Sequence, residues 1–306
     1  MWKKENSSAY FAWFAICIIW GTTYLAIRIG VKDLPPMLFA GFRWIVAGPL
    51  LMGVLLLRGY KLPRKNDIKH LVIIGITLLG ITNGLVVVAE KWIPSGLTAL
   101  LISTLPFWVV FIEWIISGFG KVNSKIIVGI TLGFAGVAII LGNEVQLLLQ
   151  PDYIVGIICI MIAMISWAGG SLYSKRISLS SKPLMSASFQ MLFAGIAQTS
   201  VGLILGELTE FHFTQNSFLA YLYLLLIASV LGYGSYIYAI SHLPVSFVTT
   251  YAYINPVIAL LLGWIILEEK LNMLLILSAV IILTGVWLVQ KGNIATERII
   301  DDGEKI

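Results

Sequence analysis

Trp20, Tyr24 and Arg28 recur four residues apart inside an apolar stretch, and Asn83 and Glu90 stand seven apart in another. At 3.6 residues per turn, each set falls on one face of a helix. The chemistry such faces offer is recognition. An indole or phenol ring presents a flat apolar surface with one polar tip, and an amide or a charge orients the polar end of a solute. Trp167, Tyr251 and Asn255 repeat this set of groups in the second half, while Arg43 and Glu113 are single charges in further apolar runs. A charged side chain in such a run costs about 2.5–3.5 kcal/mol on insertion scales, so it is expected to face protein or water. No HExxH pattern, Walker A loop, Cys-x-x-Cys pair or serine nucleophile elbow occurs. No catalytic residue, metal site or cofactor is therefore expected. Cys17 and Cys159, the two cysteines, both fall in apolar runs and read as small packing residues rather than a disulfide framework.

The elements that must position these groups follow from composition. Hydrophobic residues make up 59% of the 306 and charged residues 11%, against about a quarter charged in a soluble domain. The apolar residues come in blocks, and about 20 of them suffice to cross a bilayer as a helix. Ten blocks of that kind are present, at Ala9–Ile29, Pro36–Leu57, His70–Ala89, Gly96–Ser117, Lys125–Gly142, Tyr153–Ser174, Pro183–Leu205, Phe218–Ser241, Val245–Leu267 and Met273–Gln290. They are numbered here as spans one to ten. The gaps are short, which leaves no room for a soluble catalytic or nucleic-acid-binding domain. The tail before span one is too short for a cleavable leader, so that span is expected to be retained. The class is an all-α polytopic membrane protein.

Lys and Arg are retained on the cytoplasmic side of short loops. With the N-terminus inside, fifteen of the twenty basic residues fall on inner segments, four (Arg28, Lys32, Lys91 and Lys270) on outer ones, and Arg43 within a span. This predicts a multi-pass protein of the cell membrane with both termini cytoplasmic. The net charge of +5 is then a product of topology and implies no nucleic-acid partner.

The halves repeat. Trp20 aligns with Trp167, Phe42 with Phe189, Pro94 with Pro244, Pro106 with Pro256, Trp114 with Trp264 and Gly136 with Gly285, at offsets of 147 to 150 residues. Residues 1–148 are read as one five-helix unit, 149–292 as its copy, and 293–306 as a cytoplasmic tail. Five is odd, so the copy enters the membrane from the opposite side. Inverted repeats of this kind characterise secondary transporters, with the substrate site near the midplane between halves that rock to expose it alternately.

The segments "IIWGTTYLAIRIGVKDLPPMLFAGFRW", "NGLVVVAEKWIPSGLTALLISTLP" and "YINPVIALLLGWIILEEKL" resemble the EamA-type members of the drug/metabolite transporter superfamily, particularly its drug/metabolite exporter subgroup. The resemblance covers nearly the whole chain. It implies a ten-helix, five-plus-five plan and export of amino acids or other small metabolites, some relatives carrying nucleotide sugars or sugar phosphates. The acidic "GE" pattern that often closes the fourth span in this family is absent from "ISGFGK", while its counterpart stands as Glu268 and Glu269 after the ninth. Glu113 occupies a position where the family has an apolar or small residue.

Within this frame, Trp20, Tyr24, Asn83, Trp167, Tyr251 and Asn255 lie nearest the midplane and are the expected substrate contacts. For Tyr24 and Arg28 the alternative is interfacial anchoring and snorkelling, and for the amides it is the joining of helices. Arg28, Arg43 and Glu90 share a depth near the outer side. They are expected to form a charge cluster or gate in which Glu90 neutralises Arg43, or a static ion pair that braces the outer mouth. Glu113, near the inner leaflet, either binds a coupling proton or reaches headgroups. Pro106 and Pro256, near the centres of spans four and nine, free backbone carbonyls and are expected hinges. Gly129, Gly133 and Gly136 make a small-residue stripe for close helix approach. The expected partners are a small-molecule substrate and the lipid bilayer, with the chain acting as a monomer. Importers, organophosphate exchangers, and an embedded enzyme or lipid-binding scaffold remain the alternatives.

Overall fold

The computed structural model describes residues 7–116, 123–143, 150–243, 245–248 and 250–303, and the described residues are helical with no strand. Nine helices among them are long and apolar enough to cross a bilayer: Ser7–Gly30, Pro36–Leu57, Lys65–Ala89, Ser95–Ile116, Ser124–Gly142, Pro151–Arg176, Pro183–Ile204, Gln215–Tyr236 and Met273–Gly292. The apolar helix Tyr251–Leu267, preceded by the single turn Val245–Val248, supplies a tenth. Span nine is thus in two pieces where the sequence suggested one. The last helix runs on to Gly303, through the segment read as a tail. Pro244 and most of "ISGFGK" lie outside the described residues.

The helix ends carry the repeat. Pro36 and Pro183 open spans two and seven, where the missing amide would have had no helical acceptor. Gly59 and Gly206 lie just beyond the ends of the same spans with φ of 77° and 76°, a left-handed conformation that glycine adopts without a Cβ clash. Both pairs are separated by 147 residues, the interval between Trp20 and Trp167.

The halves are locked together through helices that correspond under the repeat. Span two packs on span seven, and span five on span ten. At the first crossing, a Cβ on Gly48 would sit 2.7 Å from the Leu192 amide nitrogen, and one on Gly195 would sit 2.3 Å from that of Ile45. At the second, Gly129 and Gly285 press against each other's carbonyl oxygens and Gly136 lies against Ile282 and Ser278 of span ten, while Gly133 of the same expected stripe faces the Phe107 ring of span four.

Two features have no counterpart in the sequence reading. Span three widens into a π-helix over Gly75–Ile81, and span eight does so over Tyr223–Leu231. Thr82 Oγ1 donates to the Thr77 carbonyl at 2.8 Å, and Ser229 Oγ donates to the Leu224 carbonyl at 2.9 Å. The second pair again repeats the first 147 residues on. A π-turn shifts carbonyls out of the regular ladder, and side chains from other spans meet them. Gln198 Nε2 donates to Leu79 O at 3.1 Å and Gly80 O at 2.8 Å, Ser166 Oγ to Thr77 O at 2.9 Å, and Trp20 Nε1 to Ala228 O at 3.3 Å.

Acidic side chains tie the repeats together at the end of the bundle that carries Arg28. Glu207 accepts from the amides of Met37 (3.3 Å) and Leu38 (2.8 Å), at the start of span two. Glu269 accepts from the Ser95 amide (2.7 Å), the Ser95 hydroxyl (2.9 Å) and the Gly96 amide (3.1 Å), at the start of span four. Each carboxylate satisfies orphan donors at the positive end of a helix dipole. Glu268, at φ 56°, makes the reversal that turns Glu269 back onto span four. At the opposite end Asp67 accepts from the Ser180 amide at 3.2 Å, and His70 Nδ1 lies 2.6 Å from the Tyr173 hydroxyl.

Candidate functional site

Span one crosses both span eight and span nine of the other repeat, and its Trp20–Tyr24–Arg28 face runs along that junction. The Trp20 ring centroid lies 5.0 Å from that of Tyr251, edge-on at 81°, and 5.3 Å from that of Tyr236 at 36°. Tyr236 and Tyr251 face each other edge-on at 6.2 Å, and Tyr233 extends the cluster at 6.0 Å from Tyr236. Edge-on rings at these distances hold one another in place, and all four remain half-buried rather than sealed. Each ring therefore keeps some accessible surface, and an aromatic face can take up the apolar body of a solute.

The phenol oxygens of Tyr236, Tyr24 and Tyr233, together with the Cys17 thiol, lie within electrostatic reach of the Tyr251 hydroxyl. Tyr24, Tyr233, Tyr236 and Tyr251 each bring a hydroxyl to this junction of spans one, eight and nine, and each can donate or accept. Asn255, one turn along span nine from Tyr251, is buried. With its amide nitrogen toward span one it donates to the carbonyls of Tyr251 at 3.1 Å and Cys17 at 3.0 Å. That bond fixes span nine against span one and so fixes the distance between Trp20 and Tyr251.

The expected contact set therefore divides. Trp20 and Tyr251 come together, Tyr24 stands one turn along the same face of span one, and Asn255 ties span nine to span one beside them. Asn83 accepts a hydrogen bond from Trp44 Nε1 at 2.9 Å, which joins spans two and three. Trp167 is half-buried on span six and takes no part in these ring contacts. Tyr233 and Tyr236 were missed from sequence. Their spacing of three residues in "YGSYIY" puts them on one helix face and was the signal available.

The charges toward the Arg28 end are arranged differently from the expected Arg43–Glu90 pair. Arg43 Nε donates to Ser229 Oγ at 2.8 Å, and the guanidinium lies 4.3 Å from the centroid of the Trp44 ring. Ser229 belongs to the π-segment of span eight, so the turn that releases its neighbours from the regular ladder also gives Arg43 its acceptor. Arg28 Nη1 donates to the backbone oxygen of Glu90, and neither carboxyl oxygen of Glu90 has a hydrogen-bond partner. Glu113 stands exposed on span four, away from the rings. Pro106 follows a break at Ser103–Thr104 in span four, whereas Pro256 lies inside the helix Tyr251–Leu267, beyond the break in span nine. Among the described residues no group of three or more His, Cys, Asp or Glu side chains could hold a metal ion.

A cavity of about 160 Å³ lies elsewhere, between spans four, five and six, lined by residues including Leu101, Trp108, Phe134, Ile160 and Met164. Its one hydroxyl, that of Thr104, is bonded to the Leu101 carbonyl at 2.6 Å. A pocket this apolar can fill with hydrocarbon but has nothing to orient a solute's polar end.

Comparison with known proteins agrees with this architecture. The chain is 39% identical over 284 residues to the uncharacterized inner membrane transporter YedA of Escherichia coli K12, covering 92% of this chain and 90% of that protein. It is 26% identical over 283 residues to a probable amino-acid metabolite efflux pump of the same organism, covering 89% and 91%. A crystal structure at 19% identity superposes with a TM-score of 0.61 over 93% of this chain and 97% of the other, and so shares its fold. These relatives point to a transporter rather than an enzyme. The sequence profile of one family matches twice, once in each half, at residues 7–142 and 154–290, and the chain accordingly belongs to the EamA-like transporter family.

Proposed function

We propose that this transporter exports a small organic metabolite with an apolar or aromatic body and a polar end, an amino acid or a derivative being the leading class. The observation that carries this reading is the half-buried ring cluster of Trp20, Tyr236 and Tyr251 where span one of one repeat crosses spans eight and nine of the other. The interface between inverted repeats is where transporters hold their cargo. The rings take the apolar body, and the hydroxyls of Tyr24 and Tyr251 meet the polar end. Trp167 offers a ring from the corresponding helix of the second repeat. Rocking of the halves exposes the site alternately, with Pro106 and Pro256 as hinges and protons as the coupling ion. The direction follows the 26% identical relative, whose name is probable amino-acid metabolite efflux pump. The fifteen-to-four distribution of basic residues supports cytoplasmic termini and hence an outer position for the Arg28 end.

Exchange of nucleotide sugars or other organophosphates is the less favoured reading. A doubly charged phosphate needs free cations, and Arg43, the deep one, is already held by Ser229 and Trp44. An untargeted screen of metabolites accumulating outside overproducing cells, followed by flux of the enriched compound into proteoliposomes, tests the proposal. Saturable flux that falls with Trp20→Ala supports it. A purified, monodisperse protein that moves none of the enriched compounds overturns it.

A further inference from the structure

Glu90 stands one residue beyond the end of span three and is 0% exposed. Of the other acidic groups at this end, Glu207 and Glu269 cap helices and Asp33 accepts from the Thr214 hydroxyl, while Asp152, Glu210 and Glu268 are exposed to solvent. The two carboxyl oxygens of Glu90 have no hydrogen-bond partner. An ionised carboxylate taken out of water with no donor loses its hydration uncompensated, whereas the neutral acid loses far less.

The groups that face it come from two other segments. Arg28 and Tyr24 approach from span one, and Glu269 from the turn after span nine. Arg28 spends its hydrogen bond on the backbone oxygen of Glu90 rather than on the carboxyl, and Glu269 adds a like charge. Burial pushes the Glu90 carboxyl well above the ordinary carboxylate range; Arg28 acts against that and Glu269 adds to it. On span one, Tyr24 lies one turn from Arg28 and one turn from Trp20, so the helix that binds Glu90 is the helix that carries the ring cluster.

We propose that the Glu90 carboxyl is the proton-binding site of this transporter and that its protonation closes the Arg28 end. The protonated acid fits the arrangement seen here, with Glu207 and Glu269 tying the repeats together and the carboxyl buried without a donor to either oxygen. Loss of the proton to water leaves a charge that this packing cannot hold. Arg28, already bound to the same residue, then moves onto the carboxylate, or the end opens and water solvates it. Either change disturbs the Tyr24 side of the ring cluster, and so ties proton release to the solute site. This inference deepens the export reading and rests on it for the coupling step, while the protonation itself does not depend on cargo.

The test uses the proton alone. Full-length protein in lipid nanodiscs is titrated and its protonated-carboxyl infrared band followed. The expected result is a band that persists above the normal carboxylate range, is lost in Glu90→Gln and remains in Glu113→Gln. Over the same titration, hydrogen exchange corrected for its intrinsic pH dependence should show residues 28–34 and 90–96 losing protection as pH rises in wild type. In Glu90→Gln that protection should not vary with pH. If Glu90→Gln yields no monodisperse protein, Arg28→Gln decides: without the cation the band's midpoint must move to higher pH. A band unchanged in Glu90→Gln, an unmoved midpoint in Arg28→Gln, or pH-independent protection in wild type overturns the proposal. Failure of the export reading shows separately, as absent flux with the Glu90 band intact.

Discussion

Span one meets spans eight and nine across a layer of rings, whereas span six, its counterpart in the repeat, meets spans three and four across buried aliphatic side chains. On the first side Trp20 and Tyr236 each meet Tyr251 edge-on, and all three rings are half-buried. On the second, Leu100, Leu101, Ile160 and Met164 are buried in the largest apolar cluster. The backbones correspond, since both junctions lie next to a π-segment braced by an i to i−5 hydroxyl bond. Duplication has preserved the helix geometry while the two junctions have been filled for different work. The aliphatic one is closely filled, and the aromatic one, under the proposed function, is where a solute would meet the rings. A ring cluster has rigidity without close filling, which suits a surface that must empty and refill.

Substitutions can break that comparison at several levels, starting with the frame that both junctions share. Gly195→Leu should abolish recovery of folded protein, because its side chain would have to displace the backbone of Ile45. Fluorescence-detected size-exclusion chromatography would reveal the loss, and a normal monodisperse peak would show that spans two and seven do not cross so closely. Leu100→Ala, in the aliphatic junction at 0% exposure, should cost about 2–5 kcal/mol through the cavity it leaves. It should lower thermal stability in detergent while flux per folded molecule stays near wild type. A fall in flux without a fall in stability would place the solute on that side instead.

In the aromatic junction, Asn255→Ala removes the amide that fixes span nine to Cys17. The expected cost is about 1–3 kcal/mol, since buried carbonyls lose their donor. Flux should fall with it, because the spacing of Trp20 and Tyr251 is no longer held. Thermal melts and flux measured on the same preparations separate the two effects. The smallest effect concerns an asymmetry at the helix ends. Glu207 caps span two, but its repeat counterpart is Tyr60, which packs against apolar neighbours that include Met185 of span seven. Glu207→Ala should cost about 0.5–2 kcal/mol, the range of a lost helix cap, and a loss outside that range would show that this tie does more than cap a helix.

The frame was legible in the sequence because it depends on span length, on proline at helix starts and on the 147-residue interval, all of which survive as residue types in fixed order. The placement of Trp20, Tyr24 and Arg28 on one face followed from helix periodicity alone. The partners of buried polar groups did not follow. Asn83 and Asn255 look alike as amides in apolar runs, yet one receives Trp44 and the other holds Cys17, and only the crossing of helices decides which. Arg43 and Glu90 share a depth, which suggested a pair. The π-turn in span eight, invisible to hydropathy, presents Ser229 to Arg43 and leaves Glu90 alone. Tyr233 and Tyr236 were readable in principle, but nothing in span eight alone shows that span one packs on that face.

The most direct measurement is flux of the transported compound, once identified, by wild type, Trp20→Ala and Trp167→Ala at matched amounts of monodisperse protein. Loss of one well-placed aromatic contact is worth about 0.5–1.5 kcal/mol beyond its buried area, and every 1.4 kcal/mol is about tenfold in affinity. The expected result is a fall of about tenfold for Trp20→Ala and a clearly smaller one for Trp167→Ala. Equal losses in the two, or a larger loss in Trp167→Ala, would contradict the assignment of the solute to the aromatic junction.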